Sequence, residues 1–167
     1  LGLPRDDGRS GKFVRVAFVW LAISLLMLLA LPAYQAISGK AFSHAYFGAT
    51  RHAVTVGFVS MMIMGIAARV VPSLNGRSMA GLSSLLGPFV MINIGCLLRV
   101  TLQVATDFNS LAFAAVGISS ILELVGIVWW ACDLVPHLLR TRDEIQDAVL
   151  VPLTVLESKF IKSPPKA

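Results

Sequence analysis

Residues 43–72 read SHAYFGATRHAVTVGFVSMMIMGIAARVVP. His44 and His52 stand at the head of this run, Arg51 sits beside the second histidine, and Arg69 lies near the far end. From Ala53 to Val71 Arg69 is the only charge, over about 20 residues, enough to cross a hydrocarbon core of roughly 30 Å as a helix. A bilayer penalises polar groups, so histidines and arginines kept in such a run point to a ligand, an ion or an internal partner.

Three more apolar blocks of similar length surround it: Phe13 to Ala36, Leu82 to Ala105 and Leu111 to Leu134. The polar breaks between the four blocks are short: 38–40, 72–77 and 106–110. With 56 % apolar and 14 % charged residues, and a mean hydropathy of +0.79, the composition excludes a soluble domain and a disordered chain. No stretch alternates apolar and polar residues over about ten positions, which excludes a membrane β-barrel. The fold class expected is all-α integral membrane, a four-transmembrane-helix bundle. The domain boundaries are a segment 1–12, the helical domain 13–138 and a tail 139–167.

Charge orients the bundle. Arg5, Arg9, Lys12 and Arg15 precede the first helix, Arg69 and Arg77 flank the second loop, and Arg140 and Arg142 follow the fourth helix. In a four-span chain all of these fall on one side, against Lys40 and Arg51 on the other. The positive-inside rule therefore places both termini in the cytoplasm. The net charge of +5 reflects this asymmetry, and no motif or soluble domain supports a nucleic-acid partner. The tail after Arg142 has a short apolar core interrupted by Pro152 and reads as interfacial, ending in a flexible Lys-Ser-Pro-Pro-Lys. The first apolar run is long and lacks a small-residue cleavage site, so no cleavable leader is expected, and Leu1 leaves room for a longer polypeptide.

Counted at α-helical periodicity from His52, one face of the second span carries Gly48, Val56, Val59, Ile63, Ile66 and Val70. It is an aliphatic wall suited to lipid or to a flat apolar cofactor. The opposite face carries Gly57, Ser60, Met61, Met64, Gly65 and Ala68, small enough at intervals to admit a neighbouring backbone. His44 and His52 are separated by about 12 Å along the axis and some 80° around it. They can share an ion only if the helix breaks, and Gly48 is the candidate break. His52 is the leading axial ligand for a haem or metal, the alternative being a hydrogen bond to another helix; His44 reads as a hydrated helix-end residue.

The third and fourth spans add polar groups. Cys96, Arg99, Gln103 and Thr106 form one stripe of the third. Arg99 turns inward either to an anion such as a haem propionate, for which Arg51 is also available, or to Asp107 or a carbonyl. Glu123 is the one acid deep in a span. It is a proton-relay candidate, or else a structural carboxyl bonded across the bundle to Asn93. Cys96 and Cys132 read as small core residues, Trp129 and Trp130 as an aromatic belt. A small transporter around Glu123 and Arg99 finds no repeat or broken helix in its support.

The order His52-Ala53-Val54-Thr55-Val56-Gly57, then Met61 to Met64, then Ala68-Arg69-Val70 and Gly76-Arg77, followed by Asn93 and Arg99-Val100, resembles the C-terminal part of the NnrS family. The motif is strongest over residues 44–105. The resemblance implies a multi-pass protein of the bacterial inner membrane that contains haem and copper and is associated with nitric oxide metabolism. It makes His52 the leading haem or metal ligand and Arg69, Arg77 and Arg99 pattern residues. Family members have more spans than the four here, and Pro72 to Asn75 stand where a histidine often precedes Thr-Gly-Arg. A complete haem–copper centre therefore needs ligands from outside this chain. The function implied is a b-type haem subunit of a larger membrane complex, for electron transfer or gas-ligand binding. Its second axial ligand would come from His44, a methionine or another subunit. The competing class is a cofactor-free anchor or assembly subunit of a respiratory or photosynthetic complex.

Overall fold

The computed structural model describes residues 10–74 and 85–139, the last three without their side chains. Among the described residues every regular element is helical. Helix α1 spans Gly11–Leu29 and α2 spans Leu31–Ser38. Helix α3 runs unbroken over His44–Leu74, with a π-helical middle at Ala53–Ser60. Helix α4 spans Leu86–Ala105 and α5 spans Ala112–Leu139. Four of these, α1, α3, α4 and α5, are long and apolar enough to cross a membrane. The expected Arg5, Arg9, Gly76, Arg77, Arg140 and Arg142 and the tail from 140 onward lie outside the described residues.

The first apolar block is two helices. Proline has no N–H to give and its ring crowds the carbonyl four residues back, so Pro32 ends α1 near Ala30 and starts α2 from its first turn. Gly39 closes α2 in the left-handed conformation (φ 67°), where glycine carries no Cβ penalty. Ser43 caps α3, its Oγ accepting from the Tyr46 N–H at 2.9 Å. Gly48 does not break the helix: the Gln103 carboxamide packs on it so closely that a Cβ there would lie 2.2 Å from Nε2. His44 and His52 are therefore held on one rod and cannot converge.

Glycine contacts set how the rods approach. Gly57 lies against the Trp20 indole and Gly65 against Phe13 and the Ser10 carbonyl, so α1 packs along the small-residue face of α3. Met61, Met64, Gly65 and Ala68 are buried there, as their spacing predicts. The α4–α5 hairpin is the most extensive helix pair. It closes through Gly87 on Trp129, Gly95 on Glu123 and Gly126 on Ile92. One buried cluster joins Phe13, Met61, Met64 and Ile92; a second joins Trp20, Ala53, Cys96 and Val100.

The aliphatic wall predicted on the His52 face is split in two. Val59, Ile63, Ile66 and Val70 point outward, 40–57 % exposed, while Val56 packs on the core and Gly48 on Gln103. The π segment explains why the residues after it part from the His52 direction. An i→i+5 main-chain ring takes in one residue more than the α-helical ring, and the backbone is π-helical over Ala53–Ser60. Each residue then turns through less than the α-helical increment of about 100°, and residues beyond Ser60 lag behind the α-helical count.

Candidate metal centre

Three spans meet at His52. Its Nε2 lies 2.8 Å from Glu123 Oε1, a single hydrogen-bond separation between α3 and α5. Cys96 of α4 lies beside them: one donor atom from each of His52, Cys96 and Glu123 falls within 4.8 Å of the other two. Cys96 is fully buried and Glu123 is 8 % exposed. Their meeting follows from the hairpin. The α4–α5 hairpin pairs Arg99 with Ser120, Nη1 donating to Oγ at 3.2 Å, and one antiparallel turn further along the same register brings Cys96 opposite Glu123. Gly95 permits the approach, because a Cβ there would stand 2.7 Å from Glu123 Cγ and 3.1 Å from the Ser119 carbonyl oxygen.

Two expected partnerships are replaced. Asn93 does not bond Glu123: its Oδ1 accepts from Trp20 Nε1 at 3.0 Å and its amide donates to the Phe89 carbonyl at 2.7 Å. Arg99 does not pair with Asp107. That carboxylate is held by Lys40 Nζ at 2.7 Å, by Tyr34 Oη at 2.5 Å and by the Ser43 hydroxyl. Burial alone would raise the Asp107 carboxyl, but the hydrogen bonds from Lys40, Ser43 and Tyr34 and the Lys40 charge outweigh it and hold it at about 2. Burial, with Asp107 as bond partner, pushes the Tyr34 hydroxyl up to about 12. This knot ties α2, the start of α3 and the α4–α5 turn together at one end of the bundle, here the Asp107 end.

His44 stands away from the centre, exposed at the first turn of α3, with its ring edge-on to Phe42 at 4.7 Å. With Phe42, Phe47 and Arg51 it lines a cavity of about 530 Å³. A second cavity, of about 500 Å³, is lined by His44, Arg99, Gln103 and Phe113 among others. His52 lines neither.

The donor set suits a metal ion better than a haem. Imidazole and thiolate favour copper, zinc or iron, and a carboxylate completes a three-ligand set with a position left open. A haem on His52 does not fit this packing. The Nε2 that would meet the iron is bonded to Glu123, and the close contacts at Gly48 and Gly95 draw α3 and α5 onto α4.

The family described as NnrS protein matches residues 9–142. The chain belongs to the NnrS family. No curated protein and no solved structure matches it. The NnrS match extends across all four spans, beyond the motif stretch 44–105, so the hairpin that carries Cys96 and Glu123 belongs to the family region as fully as His52 does. Cys96 is the functional candidate that reading the NnrS-like sequence alone did not single out. Its signal was present in the stripe with Arg99 and Gln103, but its partner lies on another helix.

Proposed function

We propose that this NnrS-family chain holds one transition-metal ion within the membrane, with His52, Cys96 and Glu123 as ligands. The observation that carries the reading is the convergence of three unlike donors, from three spans, within 4.8 Å. Copper and zinc are the ions whose preferences the imidazole and thiolate match. To bind, Cys96 gives up its thiol proton and His52 offers a neutral nitrogen, so loading releases protons. Glu123 exchanges its hydrogen bond with His52 for a place on the ion and supplies negative charge where the bilayer offers none. When bound, such an ion supplies a redox centre or an open coordination position for a small ligand.

A second reading keeps a b-type haem, for electron transfer or gas binding, and moves it from His52 to the 530 Å³ cavity. There Phe42 and Phe47 give apolar walls, His44 an imidazole and Arg51 a cation for a propionate. Both readings place the chain in a larger assembly in the bacterial inner membrane. Arg15 and Arg69 line one crevice at the end away from Asp107, which supports a cytoplasmic position for that end and for both termini.

The test is metal analysis and an absorption spectrum of the full chain purified from membranes. The metal reading expects one equivalent of ion, lost in His52→Ala, Cys96→Ser and Glu123→Gln and kept in His44→Ala. A Soret band removed by His44→Ala and kept by His52→Ala would establish the second reading instead. Metal content unchanged in His52→Ala would end the first. A chain with neither metal nor pigment would leave the anchor class.

A further inference from the structure

Arg99 is the charge that the metal reading does not use. It sits in the middle turns of α4, where an arginine needs a counter-charge. Among the described residues it has no ion-pair partner: Nη1 reaches only the Ser120 hydroxyl, and Nε is buried without a hydrogen-bond partner. The nearby acids are already committed: Lys40, Tyr34 and Ser43 hold Asp107, and Glu123 is bonded to His52. The side chain borders the cavity of about 500 Å³ between the start of α3 and the Asp107 ends of α4 and α5. Gln103, Lys40, His44 and the Asp107 carboxylate that Lys40 neutralises share this lining, and Phe113 and Val116 give it an apolar patch.

We propose that this cavity binds a small carboxylate anion with an apolar body, held by the Arg99 guanidinium. A guanidinium presents parallel N–H groups in a plane that matches a carboxylate and fits a spherical or tetrahedral anion less well. The volume suits a small organic molecule and is more than a lone inorganic ion needs. The apolar wall at Phe113 and Val116 accepts the body while the charge meets Arg99. The site is built around Arg99 and does not depend on an ion at His52. Arg99 is one turn of α4 from Cys96, about 4.5 Å along the axis, so the bound carboxylate sits beside the donor cluster without sharing its ligands.

The experiment uses the full chain in lipid nanodiscs, with benzoate as the probe and chloride and inorganic phosphate as comparisons at fixed ionic strength. Saturable binding of one benzoate is expected by calorimetry. Arg99→Gln should weaken it by about thirtyfold or more, the loss typical of removing one partner of a buried charge pair. Arg99→Lys, which keeps the charge and lacks the fork, should also weaken it. Val116→Trp leaves Arg99 in place, fills the cavity and should abolish binding. That variant and the anion comparison on the unmodified chain carry the test if the Arg99 variants do not fold. Equal benzoate affinity in Arg99→Gln, or in Val116→Trp, overturns the proposal. So does phosphate or chloride binding as tightly as benzoate, since the site would then read charge alone or belong to a lipid headgroup.

Discussion

Gly95→Ala changes no ligand, yet it should loosen the His52–Cys96–Glu123 centre. The added Cβ would stand 2.7 Å from Glu123 Cγ and 3.1 Å from both the Glu123 nitrogen and the Ser119 carbonyl oxygen. The last two atoms are backbone, so a side-chain rotation cannot relieve them. Contacts this tight oblige the α5 backbone to retreat from α4 by a few tenths of an ångström and the Glu123 side chain to shift further. Overpacking of this kind costs about 1–3 kcal/mol, offset by about 1 kcal/mol from replacing a helical glycine with alanine. Metal sites tolerate only about 0.2 Å in ligand distance, so the retreat takes Glu123 out of reach of an ion held by Cys96 and His52. We expect metal affinity to fall by about tenfold or more, comparable to losing an outer partner of a ligand. The assay is competition against a chromophoric chelator, with Gly117→Ala as control, because a Cβ at Gly117 meets nothing within 4 Å. Gly95→Ala binding metal as tightly as Gly117→Ala would refute the claim that this close approach positions Glu123.

Three further outcomes follow from the packing. The Asp107 carboxyl is held at about 2, below its ordinary 3.8. Its contribution, roughly 2 kcal/mol, is therefore present above pH of about 4 and lost as the pH falls towards 2. Melting temperatures across that window should show the loss in the unmodified chain and a flat profile in Asp107→Asn. Tyr34→Phe removes the 2.5 Å bond to Asp107 and should cost about 1–3 kcal/mol in thermal unfolding, because the partner carboxylate is charged. Gly57→Ala puts a Cβ 2.5 Å from the Trp20 ring and must displace the indole from Asn93. With Trp129 and Trp130 replaced by Phe, a shift in the Trp20 fluorescence maximum is the readout, and an unchanged spectrum would show that the indole had not moved.

Span number and approximate ends were legible because each span is a long apolar run bounded by turn residues, and a bilayer admits few alternatives for such runs. The small-residue face Gly57 to Ala68 was legible for the same reason: residue size at helical spacing limits what can approach. What escaped depended on backbone geometry or on a second helix. Pro32 is visible in the sequence, yet a proline in an apolar block reads equally as a kink or as a new helix start. The pairing of Glu123 with His52, in place of Asn93, depends on which of several polar groups the helix rotations bring together. Arg99 could be read as needing an inward partner, but not that Lys40, Tyr34 and Ser43 would occupy Asp107 first. Cys96 was read as a core residue because one cysteine on one helix carries no ligand spacing; its partners are more than twenty residues away on either side.

The π segment is the departure that shapes the centre. On an unbroken α-helical count, Val59, Ile63 and Ile66 share the His52 face and would follow it into the interface with α4 and α5. The imidazole would then compete with β-branched side chains for the same contact. The wider turn over Ala53–Ser60 separates the two demands: His52 meets Glu123, while Val59, Ile63, Ile66 and Val70 turn outward. Within it Gly57 lies under the Trp20 indole, whose Nε1 reaches across to Asn93 of α4. The irregular backbone is thus fixed from the α1 side by a buried aromatic ring and from the α5 side by the His52–Glu123 bond. A π-helical stretch is tolerated where such contacts over-determine it, and such stretches recur where a side chain must be aimed at a site. His52, Cys96 and Glu123 meet with that local widening in place, each from a helix whose other faces are already committed to packing or exposed outward.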